Sequence, residues 1–157
     1  MLPTFHVFGN GTMGSFNENG SGEYARLMAK AQAAVDALRD SYRNQFRKDV
    51  DQMLAAWRTL DEGADRRKVM EDIYGIAHNV KGQGGSFGYD FVTLVGASLC
   101  KFLRSAPGQS DDDLEIVHAH LSALDLASRD DMTGDGGEKG RKILHELSVM
   151  TGQAIEG

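Results

Sequence analysis

The chain has 157 residues, of which 17 are Lys or Arg and 23 are Asp or Glu, so its formal net charge is −6. This length is enough for one domain with its own core, and the negative charge argues against general nucleic-acid binding, which depends on a basic surface. The single cysteine, Cys100, excludes an intramolecular disulfide and a metal cluster built from several cysteines.

Targeting and membrane segments are not evident in the sequence. The N-terminus has no charged region followed by an apolar block, so we expect no secretory signal. No apolar run approaches the ~20 residues that span a bilayer. The best candidate, residues 91–103, is too short and contains Ser98 and Lys101. We therefore expect a cytoplasmic protein that has no membrane partner.

The N-terminal third divides into a tail and a long helical segment. Residues 1–22 are rich in Gly, Asn, Ser and Thr and show no helical or strand period, which predicts a flexible tail. Residues 23–60 contain neither Gly nor Pro. Their apolar residues recur at steps of three and four, which predicts a helix. These residues are Tyr24, Met28, Ala31, Val35, Leu38, Tyr42, Phe46, Val50, Met53, Trp57 and Leu60.

A single helix over residues 23–60 would be about 57 Å long, more than the later segments can cover. Its first part, residues 23–40, therefore overhangs the bundle, folds back at a break near 40–44, or pairs with a second copy of the chain. We expect this helical extension to provide a self-association or extra packing surface, because its apolar stripe would otherwise lie bare.

The next helix is predicted over residues 65–84 and carries the candidate functional residue. Its apolar residues have a 4-3-4 spacing and share one face; they are Val69, Ile73, Ile76 and Val80. His78 lies about 180° from the middle of this stripe at about 100° per residue. Tyr74, Gly82 and Gly85 share the side of His78, and Lys81 stands at its flank.

Three further helices complete the prediction. Residues 89–104 are apolar nearly all round and should be the most buried. Residues 111–129 follow Ser110, an N-cap candidate. Residues 139–151 form a short C-terminal helix with Ile143, Leu147 and Met150 turned inward. We predict an all-α fold in which 41–61, 65–84, 89–104 and 111–129 form an antiparallel four-helix bundle, since the turns between them are short. The expected organisation is a tail (1–22), a helical extension (23–40) and a bundle domain (41–157).

A lone histidine is most often structural, but the position of His78 opposite the stripe argues against a core role. An idle surface histidine is the alternative. Glycine costs about 1 kcal/mol against alanine within a helix, so Gly82, Gly84 and Gly85 weaken the helix just beyond His78. They would either clear space for another macromolecule or simply end the helix.

The sequence His-x-x-Lys-Gly, with a further glycine ten residues after the histidine, resembles the signature of histidine-containing phosphotransfer (HPt) domains. Here these positions are His78, Lys81, Gly82 and Gly88. The resemblance covers roughly residues 41–150 and includes the apolar helix that follows. The chain departs from the family in its glycine-rich run 82–85 and at residues 101–104, Lys-Phe-Leu-Arg, where many members carry a glutamate.

This resemblance implies that His78 exchanges a phosphoryl group with the aspartate of a response-regulator receiver domain while Lys81 stabilises the phosphoryl charge. The surface implied for partner contact comprises Tyr74, Asn79, Gly82, Gln83 and Gly85. A sensor or hybrid histidine kinase is the implied second partner. Mg²⁺ is expected on the receiver domain, and no cofactor or metal is expected on this chain. With no kinase ATP-binding sequence, the chain would be a phosphoryl carrier and not an enzyme.

Two other classes remain open on the sequence. The first is a non-catalytic helical interaction module in which His78 is incidental. The second is the dimerisation-and-phosphoacceptor part of a histidine kinase, although an acidic residue usually follows the histidine there and Asn79 follows it here. The other histidines, His118, His120 and His145, are expected in ordinary surface or boundary roles. The glycines at 82, 84 and 88 do not form a nucleotide loop, because no strand precedes them.

Overall fold

The computed structural model describes the backbone of residues 10–105 and 110–155, and side chains from residue 20 onward. Every regular element in these ranges is helical, which confirms the predicted all-α class. Five α-helices are present: α1 (Asn10–Arg58), α2 (Arg66–Gly84), α3 (Asp90–Ser105), α4 (Asp111–Arg129) and α5 (Gly137–Thr151). Short 3-10 turns follow α1 and α2, at Thr59–Glu62 and Gly85–Phe87.

The chain divides into two compact units, Met1–Asp40 and Ser41–Gly157, and α1 contributes residues to both. In the first unit, the described side chains from residue 20 to residue 40 are all exposed. The second unit contains the buried core and every element from α2 onward.

The helical start differs from the sequence prediction. Helix α1 begins at Asn10, so the expectation of a non-helical tail is wrong for residues 10–22, while residues 1–9 lie outside the described residues. Once a helix is nucleated, each added residue gains a hydrogen bond. Glycines such as Gly20 and Gly22 therefore lower its stability without ending it. The helix also continues through residues 40–44, where a break was one of the three alternatives.

Side-chain caps explain why α2 and α4 begin where the sequence predicts. The Asp65 carboxylate accepts a hydrogen bond from the Arg67 backbone N–H at 3.3 Å. The Ser110 hydroxyl accepts one from the Asp113 N–H at 3.0 Å. Each cap satisfies a backbone donor that has no partner within its own helix.

Helix α3 is the most buried element, as predicted, with nine of its sixteen residues in the core. It lies very close to α2 at Gly96. A Cβ atom at Gly96 would stand 3.3 Å from the Lys81 backbone nitrogen and 3.4 Å from the Ala77 carbonyl oxygen. The small residue at position 96 therefore sets the distance between the two helices that position His78.

The second half of α1 packs into the same core through residues at helical spacing, namely Tyr42, Phe46, Val50 and Met53. The Tyr42 ring stacks on Phe87 with ring centroids 5.0 Å apart. On the surface, Arg47 Nη2 lies 2.9 Å from Asp125 Oδ1 of α4. These contacts join α1 to the turn that follows α2 and to α4.

Helix α5 covers the core only partly. Leu147 is buried and Ile143 is half-buried, but Met150, which the sequence prediction also turned inward, is 40% exposed. That part of the prediction is wrong. Met150 lies in the last turn of α5, which ends at Thr151 and is followed by Gly152 with a φ of 69°.

Candidate functional site

His78 is exposed on α2, as its helical phase predicts. The opposite face of the helix is buried through Val69, Ile73 and Val80. Ala77 completes that buried face, whereas Ile76, which the 4-3-4 spacing placed there, is only half-buried. The face that packs on the core is therefore rotated slightly toward Ala77, and His78 stays on the solvent side.

Tyr74 lies one turn before His78 and covers one side of its ring. The two ring centroids are 6.2 Å apart and the ring planes differ by 15°. The Tyr74 hydroxyl accepts a hydrogen bond from Arg104 Nη1 of α3 at 3.1 Å. Arg104 thus orients the residue that packs on His78 and brings a guanidinium to this side of the site.

Lys81 lies one turn after His78 and is half-buried. Burial raises the pKa of the Cys100 thiol in α3, and the positive charges of Lys81 and Arg104 partly offset this rise. Both cations therefore lie near enough to Cys100 to act on its thiol. A phosphoryl group on His78 would meet the positive charge of Lys81, one turn away on the same side of α2.

Three exposed glycines surround His78 and leave it uncovered. A Cβ atom at Gly75 or Gly82 would have nothing within 4 Å, and one at Gly85 would meet only Thr93 Oγ1, at 3.7 Å. At 3.6 residues per turn, all three lie within about 60° of His78 around the helix. We call these three positions the glycine patch. Each glycine costs a helix about 1 kcal/mol. What the three positions share is the absence of a side chain, which leaves the imidazole of His78 open to a partner.

The neighbouring glycines have a different role. Gly84 is buried, and a Cβ there would stand 2.5 Å from Thr93 Oγ1 and 3.1 Å from the Tyr89 carbonyl oxygen. Gly88 has a φ of 82°, a left-handed conformation that favours glycine. Gly84 therefore permits packing and Gly88 closes the turn. The sequence left two roles open for the glycines, clearing space and ending the helix. Gly82 and Gly85 leave space beside His78, whereas Gly88 closes the turn that ends the helix.

The remaining predicted contact residues, Asn79 and Gln83, are both exposed. They lie about 100° and 140° around the helix from His78. Their side of α2 faces away from Gly96 of α3, which approaches the Ala77–Lys81 side. The structure thus places Tyr74, Gly82 and Gly85 beside His78 and puts Asn79 and Gln83 on the outer flank of the helix.

A cavity of about 350 Å³ lies between α2 and α3, directly beside this site. Its lining includes Tyr74, which packs on His78, and Arg104, which bonds Tyr74, together with Arg67, Met70, Glu71 and Leu103. Arg67 and Glu71 form an exposed ion pair with an N–O distance of 3.5 Å. The cavity extends the accessible surface around His78 by more than one helical turn.

The local charge around His78 is positive although the chain is acidic. No Asp or Glu occurs in residues 73–89. Asp72, just before this stretch, is paired with Lys68 at 3.0 Å. A phosphoryl group on His78 would therefore avoid repulsion from carboxylates within its own helical turn.

His120 has the opposite environment, and its predicted surface or boundary role is wrong. It is fully buried, with Nδ1 2.8 Å from the Ile116 carbonyl oxygen and Nε2 2.9 Å from Ser98 Oγ. Since a carbonyl only accepts, Nδ1 carries the proton and Nε2 accepts from the Ser98 hydroxyl. Burial lowers the pKa of His120. His118 is exposed and packs on Trp57, and His145 is exposed.

Sequence reasoning missed Gly75 and Arg104. Gly75 could have been found, because a glycine three residues before the histidine shares its helical face. Arg104 is 26 positions after His78, on another helix, so only the packing of α2 on α3 brings it to the site.

Comparison with protein-family models, curated proteins and solved structures gives no match to this chain. Within the described ranges, no helix is both long and apolar enough to cross a bilayer. In the same ranges, no group of three or more His, Cys, Asp and Glu side chains is placed to hold a metal ion.

Proposed function

We propose that this chain is a histidine phosphotransfer protein of a multistep phosphorelay, which accepts a phosphoryl group on His78 and passes it to or from the aspartate of a response-regulator receiver domain. In this proposal the second half of α1 forms an antiparallel four-helix bundle with α2, α3 and α4, and α5 is appended to it. The observation that carries the proposal is the exposed His78, opposite a buried helix face and with Lys81 one turn further on.

The proposed reaction is a single transfer between nitrogen and oxygen. A ring nitrogen of His78 attacks the phosphorus of the receiver's aspartyl phosphate. The N–P bond forms while the P–O bond to the aspartate breaks, the carboxylate leaves with the electron pair, and the other ring nitrogen releases its proton to water. Transfer of this kind depends on alignment and charge stabilisation more than on covalent help from the protein. The same steps in reverse return the group to a receiver.

Lys81 supplies the charge stabilisation from this chain. Its position three residues after His78 places an ammonium group one turn away on the same side of α2. Arg104 contributes indirectly, because its hydrogen bond to Tyr74 fixes the ring that packs on His78. The proposal assigns Mg²⁺ to the receiver domain and no cofactor to this chain.

The glycine patch supports a macromolecular partner over a small one. A small phosphodonor reaches an exposed imidazole without three bare positions around it, whereas a protein surface needs them to approach within bonding distance. The cavity between α2 and α3 offers further contact area beside His78. We therefore propose that a receiver domain packs over the glycine patch, and that a sensor or hybrid histidine kinase supplies the phosphoryl group upstream.

Incubation of the full chain with receiver domains of the source organism, each carrying a labelled aspartyl phosphate, tests the proposal. We expect acid-labile label to appear on this chain with at least one receiver and to be absent in the His78→Ala variant. Binding of a receiver without any transfer of label would instead support the non-catalytic interaction module.

A further inference from the structure

The first unit carries an apolar helix face that no other described residue of that unit covers. Its large side chains are between 47% and 66% exposed at five positions, which are Tyr24, Leu27, Met28, Val35 and Leu38. With Ala31 at the centre, these residues fall within an arc of about 100° around α1. We call these six positions the N-terminal apolar face.

Charged residues are confined to the rest of the helix surface. Glu23, Arg26, Lys30, Asp36, Arg39 and Asp40 all lie at least about 80° from Ala31 around the helix. The positions that flank the face on either side include Ala25, Gln32 and Ala34. Glu23 and Arg39 stand at the two borders and carry opposite charges, so the face itself is free of charge and neither sign of charge dominates its edges.

The balance of charge argues against a membrane as the occupant. Residues 23–40 contain three basic and three acidic side chains. Helices that lie on anionic lipid carry an excess of Lys and Arg on the polar face. A neutral polar face lacks that electrostatic attraction, so the apolar face alone would have to hold the helix on the lipid.

The apolar residues Tyr24, Met28, Ala31, Val35 and Leu38 follow one another at steps of 4, 3, 4 and 3. This is the a/d spacing of a helix seam that packs against a second helix. Five large, half-exposed side chains on each of two copies would bury on the order of 1,000 Å², which is about the minimum for a specific interface. A face that is free of charge and complementary to itself fits the two-fold interface of a homodimer.

We propose that the N-terminal apolar face binds the same face of a second copy of this chain, so that α1 pairs with α1 across a two-fold axis. The dimer contact is confined to the first unit and does not depend on the phosphotransfer function. Its centre is Ala31, whose small side chain lets the two helices approach closely.

Two alanines of α1 give a matched test in the full chain. Ala31 lies in the centre of the apolar face, whereas Ala33 lies about 160° away around the helix, and both are exposed. We expect sedimentation analysis over a dilution series to give a dimer for the parent and for Ala33→Glu, and a monomer for Ala31→Glu. Circular dichroism checks that both variants keep their helical content.

Cross-linking gives a second readout that does not depend on loss of stability. The native Cys100 is buried, so a cysteine introduced in α1 is the accessible thiol. Ala31→Cys should form a disulfide-linked dimer under mild oxidation, whereas Ala33→Cys should not. A parent that stays monomeric at all concentrations would overturn the proposal. So would equal cross-linking at both positions, or a monomer that binds anionic lipid vesicles through this face.

Discussion

The surroundings of His78 and His120 show how one fold gives the same side chain two different properties. The His120 ring is enclosed between α3 and α4, and both of its nitrogens are hydrogen-bonded, to Ser98 and to the Ile116 carbonyl. The His78 ring faces solvent, packs on Tyr74 and makes no hydrogen bond with any residue that the structure describes. A phosphoryl group could reach the His120 nitrogens only by breaking the core, whereas those of His78 are open to a partner.

Exposure and neighbouring residues, and not the histidine itself, separate an accessible imidazole from an enclosed one. Glycines and Lys81 lie beside His78, while His120 is buried and bonds one hydroxyl and one carbonyl. Replacement of each residue should therefore affect a different property of the protein.

The largest expected effect is the loss of phosphoryl acceptance in His78→Ala. Removing the imidazole removes the nucleophile, and an exposed side chain contributes little to the core, so the fold should survive. Label transfer from a phosphorylated receiver measures the first property, and thermal unfolding measures the second. His145→Ala, at another exposed histidine, is the matched control and should accept label at the parent rate. Acid-labile label that persists in His78→Ala would contradict the assignment.

A somewhat smaller effect is expected when the glycine patch is filled. Gly82→Gln should leave stability nearly unchanged, because no atom lies within 4 Å of the new Cβ. Transfer should slow by about a hundredfold, the loss that follows when a reacting pair is held slightly out of position. Rapid-quench measurement of the transfer rate checks this.

Gly22→Gln is the control for the glycine variant, since Gly22 is also helical and has nothing within 4 Å of its Cβ position. It should transfer at the parent rate. If Gly82→Gln matches the parent as well, open access to His78 is not what the glycine patch provides.

Lys81→Ala should have a milder effect on the same reaction. The side chain would make one charge-assisted hydrogen bond to the phosphoryl group, worth about 1.5–3 kcal/mol, with partial exposure favouring the low end. A barrier change of this size slows transfer about tenfold to hundredfold. Lys142→Ala, which removes an exposed lysine of α5, should leave the rate unchanged. Equal losses in both variants would indicate a general effect of net charge.

The smallest expected effect is a pH dependence of the free energy of unfolding that arises from His120. Burial lowers its pKa below the usual value of 6.5, so the unfolded chain binds the proton more readily than the folded one. The contribution of His120 to the free energy of unfolding should therefore be fully present above pH 6.5. It should decrease as the pH falls through 6.5 toward the lower pKa of the folded state. Chemical denaturation at a series of pH values measures this.

His120→Leu should remove this pH-dependent contribution, at some cost in stability at neutral pH because the Ser98 hydroxyl loses its partner. His145→Leu should retain the full dependence on pH. If the His120→Leu variant keeps the parent's loss of stability below pH 6.5, the buried histidine is not its source.

The helices from α2 onward and the orientation of His78 follow from local signals in the sequence. Apolar spacing specifies which face of a helix is buried, and caps such as Asp65 and Ser110 specify where a helix begins, because both effects act within a few residues of the chain. The start of α1 was not determined in this way. Glycine content lowers helix stability gradually and does not define an end.

Residues from separate helices come together only through the packing of those helices on one another. Arg104 reaches Tyr74, and His120 is enclosed by Ser98, because α3 packs closely on α2 at Gly96 and on α4 through its apolar surface. The sequence pattern specifies the face that each helix buries. It does not specify the partner that covers this face, since that depends on the distance and rotation between helices that have already formed.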